Sequence, residues 1–127
     1  MHVQDQALYE TVARTFAERA LAAVGDQIDA ILLYGSVARR EATGASDIDL
    51  LVVSAHVDRI RPTLAEIRTD LDLEYDTLTT LNYKSPDQLE DGLRRGDPYL
   101  AEIVTEGETL YDNGTYRRLR PEALAEG

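Results

Sequence analysis

The chain has no cysteine and no tryptophan, one methionine, one phenylalanine and, among its thirteen basic residues, one lysine, Lys84. Without cysteine there is no disulfide and no thiolate metal centre. No stretch approaches the roughly 20 apolar residues of a membrane-spanning helix, so no membrane partner is expected. The start, Met1-His2-Val3-Gln4-Asp5-Gln6, lacks a basic segment followed by an apolar run. No secretory signal is read there, and the expected compartment is the cytoplasm. Positive charge is scarce: twelve Arg and one Lys face 24 acidic residues, for a formal charge of −11. Such a chain repels a phosphate backbone, which argues against a long nucleic acid as partner. A divalent cation or a basic protein suits it better, and a high-salt or GC-rich source would also fit the composition. Asn113-Gly114-Thr115 matches a glycosylation sequon, but without a signal it reads as a turn.

What is present is one domain's worth of alternating pattern in 127 residues. Leu8, Val12, Phe16, Ala20 and Val24 recur at helical spacing over 5–24, with Asp5 as a candidate cap. Ile28–Tyr34 is a short apolar run that reads as a buried strand. Val37–Glu41 reads as a short helix, Thr43–Ser46 as a loop, and Asp47–Ser54 as a second strand. Ile60, Leu64, Ile67 and Leu71 define a helix over 58–72, with Pro62 expected in its first turn, where a missing N–H is tolerated. Tyr75–Lys84 is a third strand. Ser85-Pro86-Asp87-Gln88 and Asp97-Pro98 each announce a helix start, and Gly107 a helix end. Thr109–Tyr111 suggests a short edge strand. The fold class is therefore α/β, a sheet flanked by helices. Residues 1–112 form the expected domain, and 113–127 a polar, loosely ordered tail.

Two features carry chemistry. Asp47 and Asp49, two apart at the start of a strand, point to one face. Like charges that close repel unless a proton or cation intervenes, and Mg²⁺ takes one or two carboxylates together with substrate phosphates. A bare Asp-x-Asp pair is more often a pair of solvated acids. Gly35-Ser36 alters that balance, because it joins a buried strand to a helix. Glycine permits close backbone approach, the free N–H groups of a first helical turn suit phosphate, and Ser36 can cap the helix or bind. Arg39 and Arg40 on the short helix are forked donors; Arg40 reads more as a solvated residue, and Arg39 stands open between solvated and binding roles. His2 and His56 offer no spacing that supports catalysis.

Gly35-Ser36, ten intervening residues and Asp47-x-Asp49 together resemble the G-S-x10-D-x-D motif of the polymerase-β-like nucleotidyltransferase superfamily. Within it, Leu33–Glu41 and Ser46–Val53 are similar to the minimal nucleotidyltransferases, as is Glu102–Tyr111 near the end. The resemblance implies a small mixed sheet with flanking helices. It also implies Mg²⁺-dependent transfer of a nucleotide from a triphosphate such as ATP to a hydroxyl. Asp47 and Asp49 would be the metal ligands and catalytic acids. Gly35 and Ser36 would hold the β,γ-phosphates, with Arg39 and Ser46 as further nucleotide contacts.

Proteins of this kind commonly pair with a HEPN-domain toxin as its antitoxin, in some cases by adenylylating the toxin. A homo-oligomer is left open. A small-molecule acceptor would need an additional substrate-binding domain or dimer surface, and DNA synthesis a larger, basic chain.

The pattern departs from the family at one point. Its usual third carboxylate, the general base on the next strand, has no counterpart in Thr77–Tyr83. Thr80 falls near that place, and Asp76, or Glu74, at the strand's start is the substitute the sequence offers. Two readings follow: an adenylyltransferase acting on its partner, or a weak or inactive nucleotidyltransferase fold that neutralises the partner by binding it.

Overall fold

A computed structural model describes residues 2–126, with side chains described for 5–120. The elements in order are α1 (His2–Val24), a 3-10 turn (Gly25–Gln27), β1 (Ala30–Tyr34), α2 (Gly35–Ala38) and β2 (Ile48–Val53). There follow α3 (Val57–Tyr75), β3 (Thr79–Lys84), α4 (Pro86–Arg94), α5 (Pro98–Glu106), β4 (Glu108–Asp112) and α6 (Thr115–Glu126).

The four strands form one mixed sheet in the order β3-β2-β1-β4. β2 runs antiparallel to β1 and parallel to β3, and β4 is the expected edge strand beside β1. Both faces of the sheet are covered, which is why β1 and most of β2 are apolar without alternation. On one face Ile31, Leu33, Ile48, Leu50 and Val52 pack against Val12, Phe16 and Ala20 of α1 and Ile60, Leu64 and Leu71 of α3. On the other, Leu32, Tyr34, Leu51 and Val53 pack against Leu89 and Leu93 of α4, Leu100 and Ile103 of α5, and Tyr116 of α6.

The helix starts show local chemistry at work. Ser85 accepts from Gln88 N–H while the Gln88 side chain accepts from Ser85 N–H, a complete capping box for α4. Asp97 caps α5 by accepting from Tyr99 and Leu100 N–H.

Several expectations are corrected. α1 begins before Asp5, which stands in its first turn rather than at its cap. α3 begins at Val57, so Pro62 falls beyond the first turn, where its missing N–H leaves the Asp58 carbonyl without a helical donor. Gly107 does end α5, but in extended conformation (φ −71, ψ 152). It is required for space: a Cβ there would collide with the Ile103 carbonyl oxygen.

The stretch after Asp112 is not a loose tail. The Asp112 carboxylate accepts N–H bonds from Gly114, Tyr116 and Arg117, which starts α6. Tyr116 is buried in the second core, and α6 contacts α4. Residues 121–127 lie outside the described side chains. Asn113-Gly114-Thr115 is a turn, as read, with Gly114 at φ 110.

Candidate active site

The site forms where β1 ends beside the beginning of β2. In the antiparallel register Tyr34 pairs with Asp49, so the residue after Tyr34 must turn away from the sheet at the Asp49 carboxylate. Glycine suits this turn: Gly35 has φ +77, and a Cβ on it would collide with Asp49 Oδ2 unless the carboxylate moved. Ser36 then lies in the first turn of α2. The N-cap of this four-residue helix is Tyr34, without a side-chain capping bond, so Ser36 is not the cap the sequence suggested.

Asp49 is half-buried and its carboxyl is pushed above its ordinary range, first by burial, then by the charge of Asp47, with Arg39 opposing. The sequence pair is thus an electrostatically coupled pair. Hard oxygen donors that repel each other beside a Cβ-free turn fit a divalent cation, completed by phosphate and water oxygens. Asp47 and Asp49 are the residues that would hold it. Among the described residues no group of three or more His, Asp or Glu side chains is arranged to hold a metal.

β3 lies parallel to β2 with Thr80 directly beside Asp49. The residue next to the acid pair is thus an alcohol. Asp76 is the exposed left-handed cap of α3 (φ 55). Its charge acts on Tyr9, on the α1 side of the sheet, while the charges acting on Asp49 are Asp47 and Arg39. The structure therefore unites Gly35, Asp47, Asp49 and Arg39, and Asp76 is not among the charges that act on Asp49. Ser46 accepts an N–H bond from Thr43 through its hydroxyl at 2.9 Å, closing the loop before Asp47. Arg40, at φ 61, turns outward and pairs with Glu10 at 3.7 Å. The His2 side chain lies outside the described residues, and His56 follows β2 at its other end.

Three partnerships were not visible in the sequence. Arg39 is held by Glu41 at 2.9 Å, Glu106 at 3.5 Å and Glu102 at 3.9 Å. Glu102 and Glu106 are one helical turn apart on α5, a spacing that could have suggested a shared cation. Arg39, Glu102, Glu106 and Tyr99 wall a cavity of about 140 Å³ beside Gly35. Over the same sheet face, Tyr34 and Tyr99 join hydroxyl to hydroxyl at 2.5 Å, their rings edge to face with centroids 5.9 Å apart. Asn82 donates to both, at 2.5 Å to Tyr34 and 3.1 Å to Tyr99. Burial, then the Tyr99 hydrogen bond, push the Tyr34 phenol well above its usual range. Asn82 stands two residues beyond Thr80, hence on its face, but its partner on α5 is set only by packing.

A mixed sheet with a glycine turn pressed against a carboxylate pair defines an α/β domain suited to metal–phosphate chemistry. Residues 19–115 match the family described as Polymerase beta, Nucleotidyltransferase. The chain belongs to that family, and its class is that of a nucleotidyltransferase. A Methanocaldococcus jannaschii protein named as a protein adenylyltransferase is 27% identical over 115 residues, covering 88% of this chain and 78% of that one.

Among solved structures, a toxin–antitoxin with AMP-PNP aligns at TM-score 0.57 with 18% identity, over 88% of this chain and 84% of the other. A mutant of the toxin–antitoxin MntA–HpeT aligns at 0.58 with 16% identity, over the same 88% and 84%. At these identities the structural likeness establishes the shared fold. No described helix is long and apolar enough to cross a membrane.

Proposed function

We propose that the chain is a Mg²⁺-dependent adenylyltransferase that moves AMP from ATP to a hydroxyl of a partner HEPN-domain protein, acting as its antitoxin. The observation that carries this reading is the contact of Gly35 with Asp49, which joins the phosphate-binding turn to the acid pair in one site. The adenylyltransferase name of the archaeal relative and the toxin–antitoxin neighbours support it.

In this reading Asp47 and Asp49 would hold Mg²⁺, which would supply charge neutralisation and Lewis-acid polarisation at the triphosphate. Gly35 and Ser36 offer backbone N–H groups to the outer phosphates. Arg39 exchanges one of its carboxylate partners for a phosphate oxygen. Such chemistry depends chiefly on positioning and charge stabilisation. Purified chain, Mg²⁺, labelled ATP and the HEPN protein should give a labelled HEPN protein. Labelling that is absent, or that persists undiminished in Asp47→Asn, overturns the assignment.

One observation favours a second reading. Thr80 stands beside Asp49 where a third carboxylate would act as base. A fold without that base would transfer slowly or not at all and neutralise its partner by covering it, and the acidic surface suits a basic partner. Co-purification that survives Asp47→Asn/Asp49→Asn, without nucleotide transfer, selects this alternative.

A further inference from the structure

A charged concavity lies away from the acid pair. It is an open cavity of about 540 Å³ lined by His56, Asp58, Arg59, Arg61, Tyr83 and Gln88, together with neighbouring small residues. It sits past the carboxyl ends of the parallel strands β2 and β3, where Val53 pairs with Lys84. Asp49 and Thr80 are four residues back along the same strands, about 13 Å at the rise of a strand. In open α/β sheets the crevice beyond the carboxyl ends of parallel strands is where ligands settle.

The charge of this cavity is out of keeping with the chain. Arg14, Arg19, Arg39, Arg40, Arg94, Arg95 and Arg117 each pair with a carboxylate within 4.0 Å. Arg59 and Arg61 have no such partner among the described residues, although acids outnumber bases 24 to 13. Arg61 lies instead over the Tyr83 ring, 4.4 Å from its centroid. The lining thus sets two guanidinium groups and His56 against one carboxylate, Asp58.

Of the hydroxyls nearby, Ser54 donates to Gln27 O, whereas Ser85 accepts from Gln88 N–H and keeps its own O–H to donate. Gln88 accepts from Ser85 N–H through Oε1, which leaves its amide N–H groups for a ligand. A guanidinium pair recognises phosphate oxygens by forked, charge-assisted hydrogen bonds. The volume exceeds that of a bare phosphate and falls in the range of small-molecule sites.

We propose that this cavity is a second binding site, for a small phosphomonoester whose phosphate meets Arg59 and Arg61 and whose organic body lies beside Tyr83. The site is independent of the nucleotide site at Asp47 and Asp49.

The test is amide chemical-shift mapping on the full chain in EDTA, with inorganic phosphate and with AMP as probes. Saturable shifts should appear at His56–Arg61 and Tyr83–Gln88. Arg59→Gln/Arg61→Gln should weaken binding about tenfold or more, the usual effect of losing charged hydrogen bonds. Asp58→Asn should tighten it by removing the opposing charge. Tighter binding of AMP than of phosphate selects the ester; equal affinity would reduce the assignment to a free-phosphate site and overturn the ester. Shifts confined to Gly35–Ser36 and Asp47–Asp49, non-saturating shifts, or affinity unchanged in both variants overturn the site altogether. Both arginines are exposed, so a melting curve suffices to show that the double variant folds. The opposite sign expected of Asp58→Asn is a check that loss of folding cannot imitate.

Discussion

Gly35 meets the Asp49 carboxylate so closely that a Cβ on it would displace the acid. The contact follows from register: Tyr34 pairs with Asp49, and the next residue must leave the sheet at a positive φ. Gly35→Ala should therefore both strain the backbone and push the acid aside. A left-handed L-residue costs about 1–2 kcal/mol, and displacing a reacting group by about 1 Å can cost ~100-fold in rate. Thermal melting and ATP-dependent labelling should show a modest loss of stability with a near-complete loss of transfer. Equal labelling in Gly35→Ala would contradict the proposed phosphate turn.

Asp49 should be a stability liability in the metal-free chain. Its carboxyl is raised by burial and by Asp47, so ionising it is harder in the folded state than in the unfolded one. Below the ordinary carboxylate range the group is protonated in both states and costs nothing. Stability is lost as pH rises from the unfolded to the raised folded pKa, and the loss persists above it. Asp49→Asn in EDTA should melt above the parent at neutral pH, and the difference should fade on acidification. Adding Mg²⁺ and ATP should raise the melting point of the parent and leave the variant unmoved.

Thr80 beside Asp49 offers a gain-of-function test. If transfer is limited by a missing base, Thr80→Asp should speed it, since a placed general base is worth roughly 100-fold or more. Initial rates of labelling against parent and Asp47→Asn controls measure this. A rate unchanged in Thr80→Asp, with the fold intact, would show that the missing acid is not what limits turnover.

The Asp112 cap should hold α6 in place. Its carboxylate serves three N–H groups at the helix start. Asp112→Ala should cost about 1–2 kcal/mol, as cap losses do. Hydrogen exchange should quicken first at Thr115–Arg118, while β1 and β2 keep their protection.

Tyr34→Phe should leave Asn82 with Tyr99 as its remaining phenol partner. Loss of a buried hydrogen bond costs about 1 kcal/mol. Denaturant unfolding should register it, with little change in labelling if the triad is structural.

Where a pattern is local, the amino-acid sequence was enough. The 3.6-residue rows of α1 and α3, the apolar runs of β1 and β2 and the capping signals at Ser85 and Asp97 each express short-range backbone preference or one-sided burial. Errors gathered at boundaries that neighbours decide. α3 begins one residue before Asp58, with Pro62 in its second turn, and runs through Tyr75, so the third strand begins at Thr79 and not at Tyr75. The polar stretch after Asp112 is helical because Tyr116 finds a buried place against the sheet. Asp112 is the local signal of the helix; the buried place of Tyr116 is set by the distant residues of the second core.

The same division runs through the site. Gly35-Ser36 and Asp47-x-Asp49 were determined by the sequence, because glycine at a strand end and acids at period two have few local alternatives. Tertiary structure alone decided what surrounds them. Sheet register set Gly35 against Asp49 and Thr80 beside it, left Asp76 on the α1 side, and brought Glu102, Glu106 and Tyr99 of α5 over the turn. These relations join residues 14 to 71 positions apart, and such long-range contacts form only with the packing of the core. The chain therefore declares the glycine turn and the acid pair in one short segment, and their neighbours and the second cavity only in three dimensions.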